Sequence, residues 1–137
     1  MTLGEQDRVK RVITFGTFDV FHIGHLRVLE RARALGDYLV VGVSTDLLNI
    51  SKKGRPPVFP EDERQQLVAA LRCVDETFLE ASLELKRDYI RRYRADLLVM
   101  GDDWAGRFDE FRDICEVVYL PRTPSISTTA VIERVRR

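Results

Sequence analysis

The segment Val12-Ile-Thr-Phe-Gly-Thr-Phe-Asp-Val-Phe-His-Ile-Gly-His25 decides the fold, because it joins a short apolar run to the start of a helical pattern. Residues 12–15 predict a buried strand, and Leu26 to Leu35 predict a helix. His22 and His25, the two histidines of the chain, would then lie near a helix N-terminus directly after a strand. Backbone N–H groups and the helix dipole favour phosphate there. The segment therefore predicts a site for the phosphates of a nucleotide.

Outside this segment, short apolar runs alternate with helical patterns. Most of the runs are continuously apolar, which is typical of a parallel sheet covered on both faces. The alternation predicts a single-domain α/β fold, a Rossmann-like, doubly wound sheet of five parallel strands with helices on both faces. The predicted strands are Val12–Phe15, Tyr38–Val43, Val74–Leu79, Leu97–Met100 and Val117–Leu120, and the predicted helices cover 25–35, 61–72, 83–94, 107–114 and 128–136.

One domain is expected over residues 1–137, with residues 1–10 as a flexible N-terminal extension. Residues 47–59 are expected to form a long irregular loop, because they contain the basic and proline-rich run Lys52-Lys-Gly-Arg-Pro-Pro57. In the helix predicted over 61–72, Leu67, Val68 and Leu71 are expected to share the buried stripe.

Composition excludes several classes of protein. The chain has 137 residues, and its 22 Lys and Arg balance its 22 Asp and Glu, so no net field attracts nucleic acid or an anionic membrane. No apolar run approaches the ~20 residues that a membrane span needs, and the N-terminus lacks the apolar region of a secretory signal. Cys73 and Cys115 are isolated in apolar contexts and are interpreted as buried, inert thiols of a cytoplasmic protein. We expect no nucleic-acid partner and no membrane insertion.

Segments rich in charged and hydroxyl side chains follow several of the predicted strands. In a parallel sheet, ligands bind beyond the carboxyl ends of the strands. Lys52, Lys53 and Arg55 follow the second strand, Gly101-Asp-Asp-Trp104 the fourth, and Arg122-Thr-Pro-Ser-Ile-Ser-Thr-Thr129 the fifth. Alone, these could be a solvated basic loop, an acidic turn, and a helix start capped by Ser127 or Thr128. Together at one edge they indicate a nucleotide site, with the basic residues neutralising phosphates and an aspartate accepting from the amino group of a base.

These segments, in this order, resemble the cytidylyltransferase branch of the HxGH nucleotidyltransferases, and in particular the bacterial glycerol-3-phosphate cytidylyltransferase family. The resemblance extends from about Val12 to the last helix. It implies transfer of CMP from CTP to sn-glycerol 3-phosphate, which yields CDP-glycerol and pyrophosphate, with Mg²⁺ accompanying CTP and no organic cofactor. It also implies a homodimer that supplies CDP-glycerol for teichoic acid or other glycerol-phosphate polymers.

The resemblance also assigns residues. Lys52 and Lys86 would bind the acceptor, with Lys53 as the alternative to Lys52 because the basic segment is one residue longer than the family pattern. Asp19 is a candidate for organising a metal or the histidine geometry. The implied catalytic residues are His22, His25, Lys52, Lys53 and Arg122, and the implied CTP-binding residues are Thr17, Phe18, His22, His25, Arg55, Asp103, Arg122, Thr123, Ile126, Ser127, Thr128 and Thr129.

Two departures from the family pattern keep alternatives open. Ser125 stands where the family usually has glycine, and Gly54-Arg-Pro56 resembles sugar-phosphate adenylyltransferases. The alternatives are the same fold with another phospho-alcohol or a sugar phosphate as acceptor, or with ATP in place of CTP. A non-catalytic nucleotide-binding module is a further alternative, but the chain retains both histidines, the basic segment and Arg122.

Overall fold

The computed structural model describes residues 8–121 and 128–136. Strands and helices alternate along the chain, as the sequence predicts, and three short 3-10 helices are added to them. The elements are β1 (Arg11–Gly16), α1 (Ile23–Arg33), β2 (Tyr38–Ser44), α2 (Asp46–Lys53), α3 (Glu61–Ala69), β3 (Glu76–Glu80), α4 (Lys86–Arg92), β4 (Leu97–Gly101), β5 (Glu116–Leu120) and α5 (Thr128–Val135), with 3-10 helices at Leu83–Leu85, Asp102–Trp104 and Asp109–Asp113.

The strands form one sheet in the order β3-β2-β1-β4-β5, and every pair is parallel. The chain builds outward from β1 through β2 to β3, then returns to place β4 on the other side of β1. Strand order therefore reverses between β1 and β4, and a crevice opens at their carboxyl ends. The doubly wound α/β fold predicted from the sequence is confirmed.

Two apolar layers cover the sheet, because successive side chains of each strand point to opposite faces. On one face Val12 packs with Leu29 of α1 and Val68 of α3. On the other face Ile13 packs with Ile90 of α4 and with neighbouring aromatic rings. Helices therefore lie on both faces, which explains why the strands are apolar without alternation.

The prediction of an irregular loop over residues 47–59 is wrong for its first half, because residues 46–53 form α2. The Thr45 hydroxyl accepts a hydrogen bond from Leu48 N and caps the helix, while Leu48 itself is buried. Gly54 ends α2 in the left-handed conformation, with a φ of 76°. The helix has only eight residues, exposes Leu47 and Ile50 and buries Asn49, so the sequence offers no apolar pattern that would reveal it.

The predicted buried stripe of α3 is also wrong in part. Leu67 is 52% exposed, whereas Val68 is buried and Leu71 is half-buried. Arg64, one turn before Val68, takes the buried place instead and is 1% exposed. Because Arg64 is charged, it does not contribute to the apolar pattern of the sequence. The prediction therefore assigns Leu67 to the buried stripe in place of Arg64.

Several smaller expectations are also tested. Pro60 occupies the N-cap position of α3, and acidic residues fill the first turn of that helix. The two cysteines are free but only half-buried, and burial raises the pKa of each thiol.

Of the N-terminal extension predicted over 1–10, residues 1–7 lie outside the described residues. The described part of the chain contains no helix long and apolar enough to cross a bilayer.

Gly42 supplies a test of the sheet packing. A Cβ at this position would lie 2.6 Å from Cζ of Phe78 and 2.7 Å from Cδ1 of Phe15, both buried rings. We expect Gly42→Ala to lower the free energy of unfolding by about 1–3 kcal/mol through overpacking, measured by urea denaturation. Phe78→Leu makes room, so Gly42→Ala should cost less in that background than in the wild type. Additive costs of the two substitutions would contradict this explanation.

Candidate active site

The loop after β1 turns sharply at the carboxyl edge of the sheet. Phe18 and Val20 both adopt left-handed backbone conformations, with φ angles of 54° and 45°. The Phe18 ring is buried, and its centroid lies 5.6 Å from that of the His25 imidazole. A left-handed conformation is costly for a β-branched residue such as Val20, so surrounding contacts must hold this turn. The turn delivers His22 to the N-cap position of α1.

The two imidazoles cap α1 and fix each other. Nδ1 of His22 accepts a hydrogen bond from Gly24 N at 3.0 Å, and Nδ1 of His25 accepts from His22 N at 3.2 Å. The rings stack with their centroids 3.9 Å apart. Because each Nδ1 is an acceptor, each neutral ring carries its proton on Nε2. The motif therefore presents two N–H donors that the helix cap holds in one tautomer.

Both imidazoles are uncharged near neutral pH. Burial lowers the pKa of His22. Burial and the neighbouring His22 lower the pKa of His25 to about 4, against a smaller opposing effect of Asp19. Within the described residues, Nε2 of His22 is buried and has no hydrogen-bond partner. A buried donor without a partner is costly, and a phosphate oxygen would satisfy it.

Asp19 ties this loop to distant parts of the chain. Its carboxylate accepts hydrogen bonds from the backbone N–H groups of Val20, Val58 and Phe59 at 3.1, 2.7 and 2.9 Å. Its carbonyl oxygen accepts from the Thr128 hydroxyl at the start of α5, at 3.1 Å. Asp19 thus organises the loops beside the histidines, and its assignment to a metal stays a prediction.

Behind the loop that joins β1 to α1 (residues 17–22, here called the nucleotide loop) lies a polar network that the sequence did not reveal. Arg64 donates to the carbonyl oxygens of Thr17 and Ser44, both at 2.8 Å, and pairs with the Asp46 carboxylate at 2.7 Å. The amide of Asn49, 1% exposed, lies 3.0 Å from the Thr17 hydroxyl and donates to Ser44 Oγ at 2.9 Å. The network fixes Thr17 at the end of β1. The sequence indicates this network only by position: Ser44 directly follows the second predicted strand, and Asn49 shortly precedes the basic run that begins at Lys52.

A cavity of about 540 Å³ opens beside this network and is lined by residues from several strands and helices near the carboxyl ends of the strands. Thr17 contributes from the position directly after β1, Lys52 and Lys53 from the last turn of α2, and Lys86 from the start of α4. Together with Arg107, these give four cationic side chains against the carboxylates of Glu80 and Glu110. An excess of positive charge in a concave site favours a phosphorylated ligand.

Lys86 is the deepest of these cations. Its Nζ atom lies 2.7 Å from Oε2 of Glu80, and both side chains are less than 5% exposed. Burial lowers the pKa of Lys86, while the carboxylate of Glu80 acts in the opposite direction. The pKa of Lys52 is also lowered by burial, against a smaller opposing effect of the Glu80 carboxylate. The structure therefore gives Lys86 a buried place in the cavity, and it adds Glu80, which sequence reasoning missed although it directly follows a predicted strand.

The segment after β4 forms the far wall. Trp104 ends a short 3-10 helix, and its ring centroid lies 5.6 Å from that of Phe108. Arg107 lies over the same indole, 5.5 Å from its centroid. Asp103 is exposed on that 3-10 helix and is not among the residues lining the cavity.

The structure describes three of the remaining predicted residues, Arg55, Thr128 and Thr129. Arg55 is exposed beyond the end of α2 and does not line the cavity, whereas Thr128 reaches the nucleotide loop through Asp19. Thr129 is exposed in the first turn of α5. The predictions for Arg122, Thr123, Ile126 and Ser127 lie outside the described residues.

The fold and these side chains define a class: an α/β protein with a cationic cavity at the switch point of its sheet. The family described as "Cytidylyltransferase-like" matches residues 13–134. The chain therefore belongs to the cytidylyltransferase-like family.

Two curated relatives and one solved structure are particularly similar. The chain is 48% identical over 127 residues to a glycerol-3-phosphate cytidylyltransferase of Bacillus subtilis (strain 168), covering 93% of this chain and 98% of that protein. It is 43% identical over 123 residues to the protein of that name from Staphylococcus aureus, covering 90% and 92%. The crystal structure of a lipopolysaccharide core biosynthesis protein from Thermoplasma volcanium matches with a TM-score of 0.72 and 24% identity, over 85% of this chain and 99% of that one. The last similarity supports the fold alone.

His22 both caps a helix and presents a donor, and two substitutions separate these tasks. We expect His22→Ala and His22→Asn to lower turnover by about 10²-fold or more, because each removes the Nε2–H donor. Only His22→Ala should also lower the free energy of unfolding, by about 1 kcal/mol, because asparagine remains a good N-cap. Steady-state assays and urea denaturation measure the two effects. Turnover near the wild type in His22→Asn would assign the histidine to capping only.

The titration of His25 is the second test of this site. We expect its pKa to lie near 4, well below the ordinary 6.5, measured by NMR of the ring C–H signals of the two histidines. The unfolded chain then binds more protons than the folded chain between these values, so the free energy of unfolding should fall as pH drops from 6.5 toward 4. His25→Asn should weaken that pH dependence. A midpoint near 6.5 in the folded protein would contradict the neutral-donor geometry.

Proposed function

We propose that the protein is a glycerol-3-phosphate cytidylyltransferase, which transfers CMP from CTP to sn-glycerol 3-phosphate and releases pyrophosphate. One observation carries the proposal: Lys52 in the last turn of α2 and Lys86 at the start of α4 line one cavity together with Thr17, which directly follows β1. Cations for an acceptor phosphate would then lie at the end of β1, the strand that leads into the loop carrying His22 and His25. The 48% identity to a protein of this name, over nearly the full length of both, supports the choice of substrates.

The reaction needs positioning and charge stabilisation more than proton transfer. A phosphate monoester already carries about −1.5 to −2 charges at pH 7, so an acceptor oxygen can attack the α-phosphorus of CTP without a strong base. As that P–O bond forms, the bond from the α-phosphorus to the bridging oxygen breaks, and pyrophosphate leaves. We assign the Nε2–H groups of His22 and His25 to the phosphate oxygens, where negative charge develops. Lys52 and Lys86 would hold the acceptor in line.

Mg²⁺ is proposed to enter with the triphosphate of CTP. No group of three or more His, Cys, Asp or Glu side chains within residues 8–121 and 128–136 could hold a metal ion. The Asp19 carboxylate is already engaged by three backbone N–H groups. Mg²⁺ commonly binds through substrate phosphates with few protein ligands, so these residues fit a metal that arrives with its nucleotide. When bound, it would neutralise charge on the leaving pyrophosphate.

Three further proposals follow from the family relationship. A homodimer, a cytoplasmic location and a role in supplying CDP-glycerol for glycerol-phosphate polymers fit this activity. The free thiols of Cys73 and Cys115 are consistent with a reducing compartment. Size-exclusion chromatography with light scattering tests the dimer directly.

The choice of base and acceptor is tested by one panel of assays. Pyrophosphate release is measured for CTP, UTP and ATP, each with glycerol 3-phosphate, other phospho-alcohols and sugar phosphates. We expect CTP with glycerol 3-phosphate to give the highest kcat/KM. Better use of ATP than CTP would favour the adenylyltransferase alternative, and no pyrophosphate release with any pair would favour a non-catalytic nucleotide-binding module.

Asp103 is proposed to select cytosine. Its carboxylate can accept a hydrogen bond from the exocyclic amino group of cytosine, whereas the carbonyl oxygen that uracil has there is repelled. We expect a strong preference for CTP over UTP, and we expect Asp103→Asn to narrow it, measured as the ratio of kcat/KM values. Asp62→Asn, at an exposed aspartate in the first turn of α3, is the matched control and should leave the ratio unchanged. Equal use of CTP and UTP by the wild type would contradict the assignment.

A further inference from the structure

The ammonium group of Lys86 lies in surroundings that bind cations in general. The Glu80 carboxylate contacts Nζ at 2.7 Å from the end of β3. The Phe15 ring lies under the same atom, with its centroid 3.8 Å away, and the Phe108 ring lies 5.3 Å away. A carboxylate combined with two aromatic faces is the usual protein chemistry for holding an ammonium ion out of water.

This arrangement comes from four different elements of the fold. Phe15 belongs to β1, Glu80 ends β3, Lys86 begins α4, and Phe108 precedes the 3-10 helix after β4. Phe15 is 5% exposed, Glu80 2% and Lys86 4%. All four residues line the 540 Å³ cavity. The carboxylate and the rings are thus in contact with the space that the acceptor would occupy.

We propose that Glu80, Phe15 and Phe108 form a cation pocket that Lys86 fills, and that this occupancy excludes acceptors carrying an ammonium group of their own. The proposal rests on the proposed function, since it concerns the alcohol part of the acceptor in that reaction. With Lys86 in the pocket, the acceptor meets ammonium donors that suit hydroxyl and phosphate oxygens. An amino-alcohol phosphate would instead bring its ammonium against Lys86 and Lys52, at a cost from like-charge repulsion.

The other charged groups around the cavity reinforce this selection. Lys52 and Lys53 approach from α2, and Arg107 and Glu110 line the wall after β4. Glu80 is already paired with Lys86, and Glu110 is exposed. An incoming ammonium ion therefore finds no buried carboxylate among the described residues lining the cavity that lacks a cation.

Lys86→Ala is the decisive variant, because it empties the cation pocket and leaves the Glu80 carboxylate behind. Glycerol 3-phosphate and phosphoethanolamine are compared as acceptors with CTP. The ratio of kcat/KM for phosphoethanolamine to that for glycerol 3-phosphate should rise at least tenfold, about the effect of one charge-assisted contact. The KM for CTP should change much less than the KM for glycerol 3-phosphate.

A double variant separates a cation pocket from simple extra space. Lys86→Ala with Glu80→Gln offers the same room but lacks the carboxylate, so the ratio should return toward the wild-type value. Lys53→Ala is the matched control for the loss of one cavity lysine, because Lys53 does not contact Glu80 in the structure; it should not raise the ratio. If Lys86→Ala does not fold, Lys86→Ser supplies a hydroxyl to the Glu80 carboxylate and carries the same comparison.

Ethylammonium gives a readout that does not depend on the reaction. It should raise the Tm of Lys86→Ala and increase its use of glycerol 3-phosphate, and it should do neither in the double variant. A folded Lys86→Ala protein with no gain for phosphoethanolamine and no response to ethylammonium would overturn the inference. An equal gain in the double variant would also overturn it. Wild-type protein that forms no CDP-glycerol would refute the proposed function, while stabilisation by ethylammonium would still report the pocket.

Discussion

The carboxyl ends of the strands are held in place by the hydrogen bonds of one buried side chain, the guanidinium of Arg64. Its side chain is fully buried, yet it pairs with a single carboxylate, that of Asp46. Three further N–H groups of the guanidinium donate to the carbonyl oxygens of Thr17, Ser44 and Phe59. An ion buried this deeply is tolerated only when nearly all of its donors are satisfied. The ends of β1 and β2 and the segment before α3 must therefore keep their relative positions, and the nucleotide loop is built on that frame.

Histidines and lysines make different electrostatic contributions around this frame. The imidazoles are neutral, and the start of α1 fixes their tautomers, so they can bind phosphate oxygens without adding net charge. The lysines supply the charge, and their carboxylate partner Glu80 opposes the pKa-lowering effect of burial. Directional donors thus lie beside β1, and positive charge lies beside α2 and α4. A site for two phosphorylated molecules needs both contributions.

The sequence predicted the parts of this molecule that depend on local patterns. Five apolar runs gave the strands, and their alternation with helices gave the parallel, doubly wound sheet. Helix α2 was missed because it is eight residues long and basic at its end. Arg64 and Glu80 were missed because buried charges carry no apolar periodicity and their partners lie 18 and 6 positions away. Lys86 was expected near the acceptor, but its burial against Phe15 depends on contacts between β1 and α4 that no single segment reveals.

Asp19 has a consequence for how the crevice opens. One residue holds the N–H groups at Val58 and Phe59 and the hydroxyl of Thr128, which are 39, 40 and 109 positions further along the chain. The three segments that meet at Asp19 cannot loosen independently, so local opening there is a collective event. Amide hydrogen exchange at Val58 and Phe59 should therefore report the opening of all three segments together. A nucleotide bound to one of the segments should slow exchange in the other two.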